Sequence, residues 1–438
     1  MRVPASSDSN SNLVIGYNEP TSVLDLRRSP SPTNVIHQTV DENGLCSHHH
    51  VMHSIDWDSI MKELELDDET TPTLKSNLPL NTIFSIDPPP NTNNNDYVSD
   101  LIRVADCIDS DELQLAQVIL SRLNHCLRSP VGRPLQRAAF YFKEALESVL
   151  ITGSNRNQIR LSTWTEIVQR IKAIKEYSGL SPIPFFSHFT ANQTILDSQS
   201  SSMFLHVIDF EIGFGGQYAS LMREIGFLRI TAVVSEYSAV ETRLVKENLT
   251  QFAADLRIRF QIEFVSMTSF EMLSFKSIRF VDGERIVVLL SPATIRRISG
   301  FVEELRRVSS NVVVFVYCEG WNGISGGFEY YTTVLESLDG VVGGDLVKKK
   351  MIETFVLRDK IAFAVETVSK RGGEMMTWRE AFCAAGMRLV PLSHFVDFQA
   401  ECIVEKVQVS GFHVAKRHGE LVLYWREKPL VATSAWRF

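Results

Sequence analysis

An α/β fold follows from three features of the sequence. A strand, a glycine turn and a helix run from Phe204 to Gly226. Apolar runs of strand length alternate with helical stretches after that unit, and the pattern before it is purely helical. The expectation is a doubly wound, mostly parallel sheet with an N-terminal all-helical cap subdomain and a C-terminal antiparallel addition, preceded by a disordered arm.

The arm comes first. Residues 1–97 hold nine of the sixteen prolines, twelve serines and eleven asparagines, but only four of the forty-two aromatic residues. Such a segment buries too little apolar surface to offset the entropy of ordering, so it is expected to be disordered. Two islands stand out as docking peptides, Val23–Pro30 and Ile55–Asp68. In the second, Trp57, Ile60, Met61 and Leu64 fall on one helical face among acids. His48, His49, His50 and His53 are grouped, but polar low complexity accounts for them and no metal site is expected.

The cap is expected over residues 98–180. Leu101, Ala105 and Ile108 share a face, and Asp109 and Glu112 have the spacing of a capping box that would start the next helix. Leu113, Leu120 and Leu127 then recur every seven residues, with Ala116 and Leu123 between them. One reading is a dimerising seam; the other is packing inside a helical bundle. The run covers barely more than two heptads before Arg128-Ser129-Pro130, short of the three or four a coiled coil needs, which favours packing. Further helices are expected from Pro134, with Leu135, Ala139, Phe142, Leu146 and Val149 facing inward, and over Trp164–Tyr177.

In the sheet region, Phe204–Asp209 is apolar except for His206 and Asp209, as a strand buried on both faces requires. Gly213, Gly215 and Gly216 supply the turn, and Ala219, Leu221, Met222 and Ile225 the helix. Strands are expected at Leu228–Val234, Phe260–Val265, Ile286–Leu290 and Val312–Tyr317, with helices at Ala239–Ala254 and Thr294–Val308. Phe412–Lys416, Leu421–Trp425 and Leu430–Trp436 read as antiparallel strands added at one edge. Parallel strands followed by a late antiparallel addition are the plan of the Rossmann-like class I methyltransferase fold.

The cofactor chemistry of that fold is not written in this loop. Asp209-x-Glu211-x-Gly213-x-Gly215 has a second acid where a glycine is expected to admit the cofactor. Tyr218 takes the third position of a dinucleotide fingerprint. Glu236, about twenty residues past the glycines, has the place of a ribose-binding acid. Ser291-Pro292 occupies the position of a catalytic Asn-Pro or Asp-Pro pair without its carboxamide or carboxylate. No Ser/His/Asp set and no phosphate loop is present, so the expectation is a loop that is a vestige of a cofactor site, with no cofactor and no enzymatic activity. The alternative is a methyltransferase-like protein that binds a small molecule or keeps residual activity.

Composition adds limits. Six cysteines show no CxxC pair, which suits a reducing compartment. No run of eighteen apolar residues and no signal-peptide core exist, so no membrane is expected to be a partner. The net charge of −8 disfavours nucleic-acid binding through the overall field. Direct DNA contact would rest on Arg296-Arg297, Arg306-Arg307 and Lys348-Lys349-Lys350, which read as a solvated face.

Leu205-His206-Val207-Ile208-Asp209 resembles the VHIID motif of the GRAS family of plant regulators. Leu101–Leu150 is similar to that family's first leucine-rich repeat and Leu244–Phe275 to its second. Pro292, Phe328-Glu329-Tyr330-Tyr331 and Arg379-Glu380 take the places of its PFYRE region, and Gly411, Tyr424-Trp425 and Ser434-Ala435-Trp436 those of its closing SAW region. The resemblance divides the chain at 98–180 (cap and first repeat), 181–245 (VHIID), 246–280 (second repeat), 285–365 (PFYRE) and 370–438 (SAW). The link from Trp321 to Tyr330 is shorter than the family pattern. What the resemblance implies is a nuclear transcriptional regulator of plant development. Its implied partners are DNA-binding transcription factors and corepressor complexes, with homo- or hetero-association through the helical cap.

Overall fold

A computed structural model describes residues 94–154, 162–198, 204–235, 239–297, 300–308, 312–318, 323–341, 345–369, 378–406 and 409–438, all within the unit Met52–Phe438. The arm up to residue 93, its two islands, the grouped histidines and Glu236 lie outside the described residues.

The strands are β1 (Leu205–Asp209), β2 (Phe227–Val234), β3 (Arg259–Ser266), β4 (Arg285–Leu290), β5 (Val312–Cys318), β6 (Arg388–Val390), β7 (Phe412–Arg417), β8 (Glu420–Trp425) and β9 (Lys428–Arg437). They form one sheet in the order β3-β2-β1-β4-β5-β9-β8-β7, with β6 also paired to β9. From β3 to β5 every pairing is parallel; from β5 onward every pairing is antiparallel. The doubly wound plan with an antiparallel addition is therefore the fold.

Pleating explains how one apolar run serves two cores. In β1, Leu205 and Val207 join a core with Ala191, Ile195, Tyr218, Val245 and Leu249, while Ile208 joins the opposite core with Val288, Phe270 and Phe301. Crossover helices thus cover both faces. Each large side chain fully buried this way contributes roughly 1.5–3 kcal/mol.

A third core holds the cap together. Leu120, Leu123, Phe142 and Leu146 pack with Phe328, Tyr331 and Leu335 of helix Ile324–Asp339 and with Leu421, Trp425 and Leu430 of the antiparallel strands. The cap therefore packs on the antiparallel half of the sheet.

Several expectations are corrected. Asp109 does not start a helix: it ends helix Asn94–Asp109, and helix Leu113–Cys126 begins without a side-chain cap. Asp111 takes a left-handed φ of 61°, and the Glu112 and Asp111 amides donate to the Cys107 and Ile108 carbonyls, a Schellman stop. The capping box in this region is instead Thr163–Glu166, which opens helix Trp164–Leu180. The expected helix Thr294–Val308 is two short ones, Pro292–Arg297 and Phe301–Arg307, separated near Gly300 with its φ of 68°. Helix Pro182–Asp197 carries no amphipathic stripe and so gives no helical signal in the sequence; it is buried from several sides and packs on β5 and β9.

Candidate functional site

In a doubly wound sheet the crevice for ligands opens at the carboxyl ends of the strands where the order reverses. Here that place lies between β1 and β4, and the glycine turn after β1 sits in it. Gly215 has a φ of 77°, and a Cβ there would come within 2.9 Å of Leu249, so both the turn and its packing require glycine. Gly213 has a φ of 54° and open space beside it, and Gly216 opens helix Gly216–Leu221.

The acids of this turn face their own protein. Asp209 is buried; one oxygen accepts the Glu211 amide at 2.7 Å and the other the Tyr218 hydroxyl at 2.6 Å. Burial, opposed by those two hydrogen bonds, pushes its carboxyl up to about 6, and the Tyr218 phenol is held well above its ordinary range by burial and by Asp209. Glu211 is exposed, and its Oε1 accepts the Ser291 hydroxyl at 2.7 Å. The exposed carboxylate after β1 is thus tied to the serine that follows β4.

His206 stands apart from this turn. It points to the other face of β1, near the strand's opposite end. Its Nε2 lies 2.8 Å from the Thr231 hydroxyl and its Nδ1 3.1 Å from Glu284. Arg229 donates to Glu284 at 2.9 Å and to Glu263 at 3.3 Å. Burial, opposed by the neighbouring Glu284 carboxylate, pushes the imidazole below its usual range. Burial pushes Glu284 up, but the Arg229 hydrogen bond and the Val281 amide leave its carboxyl below the ordinary value. The VHIID-like run therefore divides its polar residues between two structures: His206 ties β1 to β2 and to the segment before β4, while Asp209 holds the glycine turn.

The closing motif is a seam. Ser434, Ala435 and Trp436 lie in β9 opposite Phe315, Val314 and Val313 of β5, and all three are buried. The Trp436 indole donates to the Ser434 hydroxyl at 2.9 Å. Its ring meets Trp378 at 5.9 Å and Phe382 at 5.3 Å, both edge-on. Arg379 lies over the Trp378 and Trp436 rings and pairs with Glu420, which is buried and also accepts the Tyr317 hydroxyl at 2.8 Å. This aromatic and ionic group joins residues more than a hundred positions apart, and sequence reasoning missed it. Trp425, on β8, closes against Gly411, whose φ is 102° and where a Cβ would come within 2.9 Å of the indole.

The leucine repeat splits. Leu120, Leu123 and Leu127 are buried in the chain's own core, whereas Leu113 is 39% exposed, which corrects the expectation that it packs with them. Leu113 sits at the first position of its helix. Leu115 and Val118 are exposed apolar side chains on the same helix. The lysine cluster is engaged internally: Lys348 pairs with Glu176 at 2.8 Å, Lys349 donates to the Val341 carbonyl at 3.2 Å and Lys350 to the Pro130 carbonyl at 3.2 Å. Arg307 pairs with Glu304, while the side chains of Arg296 and Arg297 lie outside the described residues.

Residues 97–437 match the GRAS domain family. The chain is 62% identical to Scarecrow-like protein 15 of Arabidopsis thaliana, over 91% of this chain and 96% of that protein. It is 35% identical to Scarecrow-like protein 6 of Arabidopsis thaliana, over 77% of this chain and 62% of that protein. The crystal structure of SCL7 from Oryza sativa superposes with a TM-score of 0.58 at 22% identity, over 78% of this chain and 99% of that one, and so shares the fold. The chain belongs to the GRAS domain family, whose members regulate transcription in plant development.

Proposed function

We propose that this chain is a nuclear coregulator that acts through protein partners, DNA-binding factors and corepressors among them, and that it catalyses no reaction. The observation that carries the reading is the Asp209–Glu211–Ser291 arrangement at the mouth of β1 and β4. Asp209 is buried, and both of its oxygens are engaged by the Tyr218 hydroxyl and the Glu211 amide in holding the turn. Glu211 brings a fixed charge to the place where S-adenosylmethionine would carry its own carboxylate. Two such charges about 4 Å apart repel by roughly 1–4 kcal/mol between water and a protein surface, about a fivefold to nearly thousandfold loss of affinity. The residues present therefore do not fit that cofactor.

The partner half of the reading draws on family membership and on Leu115 and Val118, apolar side chains turned outward on the cap. Among the described residues no helix is long and apolar enough to cross a membrane. Full-length chain used as bait in plant nuclear extract tests the reading. Recovery of sequence-specific DNA-binding factors, lost or weakened in a folded Val118→Glu variant, is expected. Recovery that is equal with both baits, or of no transcription factor at all, contradicts it.

A further inference from the structure

Three Ser-Pro dipeptides fall among the described residues, and the fold treats them differently. Ser181 is buried and accepts the Ile183 amide as the cap of helix Pro182–Asp197. Ser291 donates to Glu211 across the switch point. Ser129 is exposed, on the irregular link 127–133 between helix Leu113–Cys126 and helix Pro134–Ser154. Arg128, Val131, Gly132 and Arg133 are exposed with it, so about six consecutive residues can enter a cleft without unfolding either helix. Pro130 offers no amide hydrogen, so only an enzyme that does not bond that amide accepts this link.

Cations surround the same link. Lys350 reaches across to donate to the Pro130 carbonyl at 3.2 Å, and Arg137 donates to the Gly132 carbonyl at 3.3 Å. Arg128 and Arg133 flank the serine in sequence. Burial and, more weakly, the Arg137 guanidinium push the Lys350 ammonium below its ordinary range against the pull of the Glu353 carboxylate, and a further anion would oppose that shift.

We propose that Ser129 is a phosphorylation site for a proline-directed serine kinase, and that Lys350 with the flanking arginines receives the phosphate. In the transfer, Ser129 Oγ bonds to the γ-phosphorus of ATP and its proton passes to the kinase's catalytic base. The bond from that phosphorus to the bridging oxygen breaks, and ADP leaves. The product carries a charge of about −1.5 to −2 and three acceptor oxygens. For Lys350 this exchanges a neutral carbonyl for a charge-assisted bond. The phosphate stands just beyond the end of helix Leu113–Cys126, where the helix dipole repels an anion, so it is drawn toward Lys350 instead. The consequence is a tie between the leucine-repeat helix and helix Leu346–Ile352 that is set by phosphorylation.

The test incubates native full-length chain with ATP and a mitogen-activated-class kinase, then maps phosphate by mass spectrometry. Peptides covering residues 124–136, 176–187 and 286–297 run alongside. All three peptides should be modified, whereas the native chain should gain phosphate at Ser129 and not at Ser181 or Ser291. An unmodified 124–136 peptide, an unmodified Ser129 in the native chain, or equal modification of Ser181 or Ser291 would each overturn the assignment. Melting temperature compared before and after phosphorylation tests the receiving lysine. A rise in the parent that disappears in Lys350→Ala is expected; the same rise in both rejects Lys350 as the receiver.

Discussion

The carboxyl end of β1 and the last strand, β9, lie in one sheet but are built on opposite plans. At β1 the chain leaves the core through a glycine turn, exposes Glu211 and leaves open space at Gly213. At β9 the polar and aromatic side chains of Ser434 and Trp436 face inward, sealed by Trp378, Phe382 and Arg379. The difference teaches where the fold keeps its stability. At the end of β1, Glu211 and Gly213 open outward over a buried Asp209, Phe210 and Tyr218, whereas the closing motif is itself buried and holds β5, β6, β8 and a helix together.

The largest expected effect comes from the sealed end. Deleting Ser434–Phe438 should abolish cooperative unfolding, because it removes half of the β5–β9 ladder, all of the β6–β9 pairing and the buried Trp436. Trp436→Ala should cost about 3–5 kcal/mol, the usual range for emptying a buried aromatic site, measured by chemical denaturation. A truncated chain that melts like the parent would erase the contrast between the two regions.

Next come the leucines of the cap. Leu120→Lys places a charge in the shared core and should destabilise by about 4 kcal/mol or more, while Leu113→Lys, in a half-open first turn, should stay within about 0.5 kcal/mol. Sedimentation with thermal melting of both variants checks this. A stable, monomeric Leu120→Lys protein is the result that contradicts the core assignment.

The sequence made the parallel strands legible because burial on both faces leaves apolar runs with no polar alternation, as in Val312–Cys318. The antiparallel strands were legible as three short apolar runs; the first turn falls at Gly419, with its φ of 82°, but the second falls at Arg426-Glu427 and not at Pro429, which already pairs with Tyr424 inside β9. Other features were hidden for physical reasons. Asp109 and Glu112 have capping-box spacing, but Asp111 adopts a left-handed turn that ends the preceding helix instead. Helix Pro182–Asp197 lies between layers and so shows no stripe. The Glu211–Ser291 contact spans 80 residues and the Tyr317–Glu420 contact 103, separations over which no local pattern operates. His206 and Asp209, three residues apart, read as one motif; the pleat sends them to different faces.

A smaller effect, of about 2–3 kcal/mol, is expected from Asp209 and should depend on pH. Its carboxyl is raised from 3.8 to about 6 in the folded protein. On lowering the pH from 7, the folded state takes up this proton before the unfolded state does. The group therefore adds stability as pH falls toward 4, and that contribution is lost as pH rises through about 6. Each tenfold difference in proton affinity between the two states is worth about 1.4 kcal/mol. Asp209→Asn, which keeps an acceptor for the Glu211 amide, should remove this slope. Denaturation at pH 4.5, 5.5 and 7 compares the two; parallel curves would mean that Asp209 titrates normally.

A small effect belongs to the open end. Glu211→Gly loses one exposed hydrogen bond to Ser291 and should change stability by no more than about 1 kcal/mol. The most direct measurement of the central claim is a calorimetric titration of the purified domain with S-adenosylmethionine. The parent should show no binding tighter than about 1 mM, near −4 kcal/mol. A dissociation constant in the low micromolar range, about −8 kcal/mol, would contradict the account and return the turn after β1 to the role of a working cofactor site.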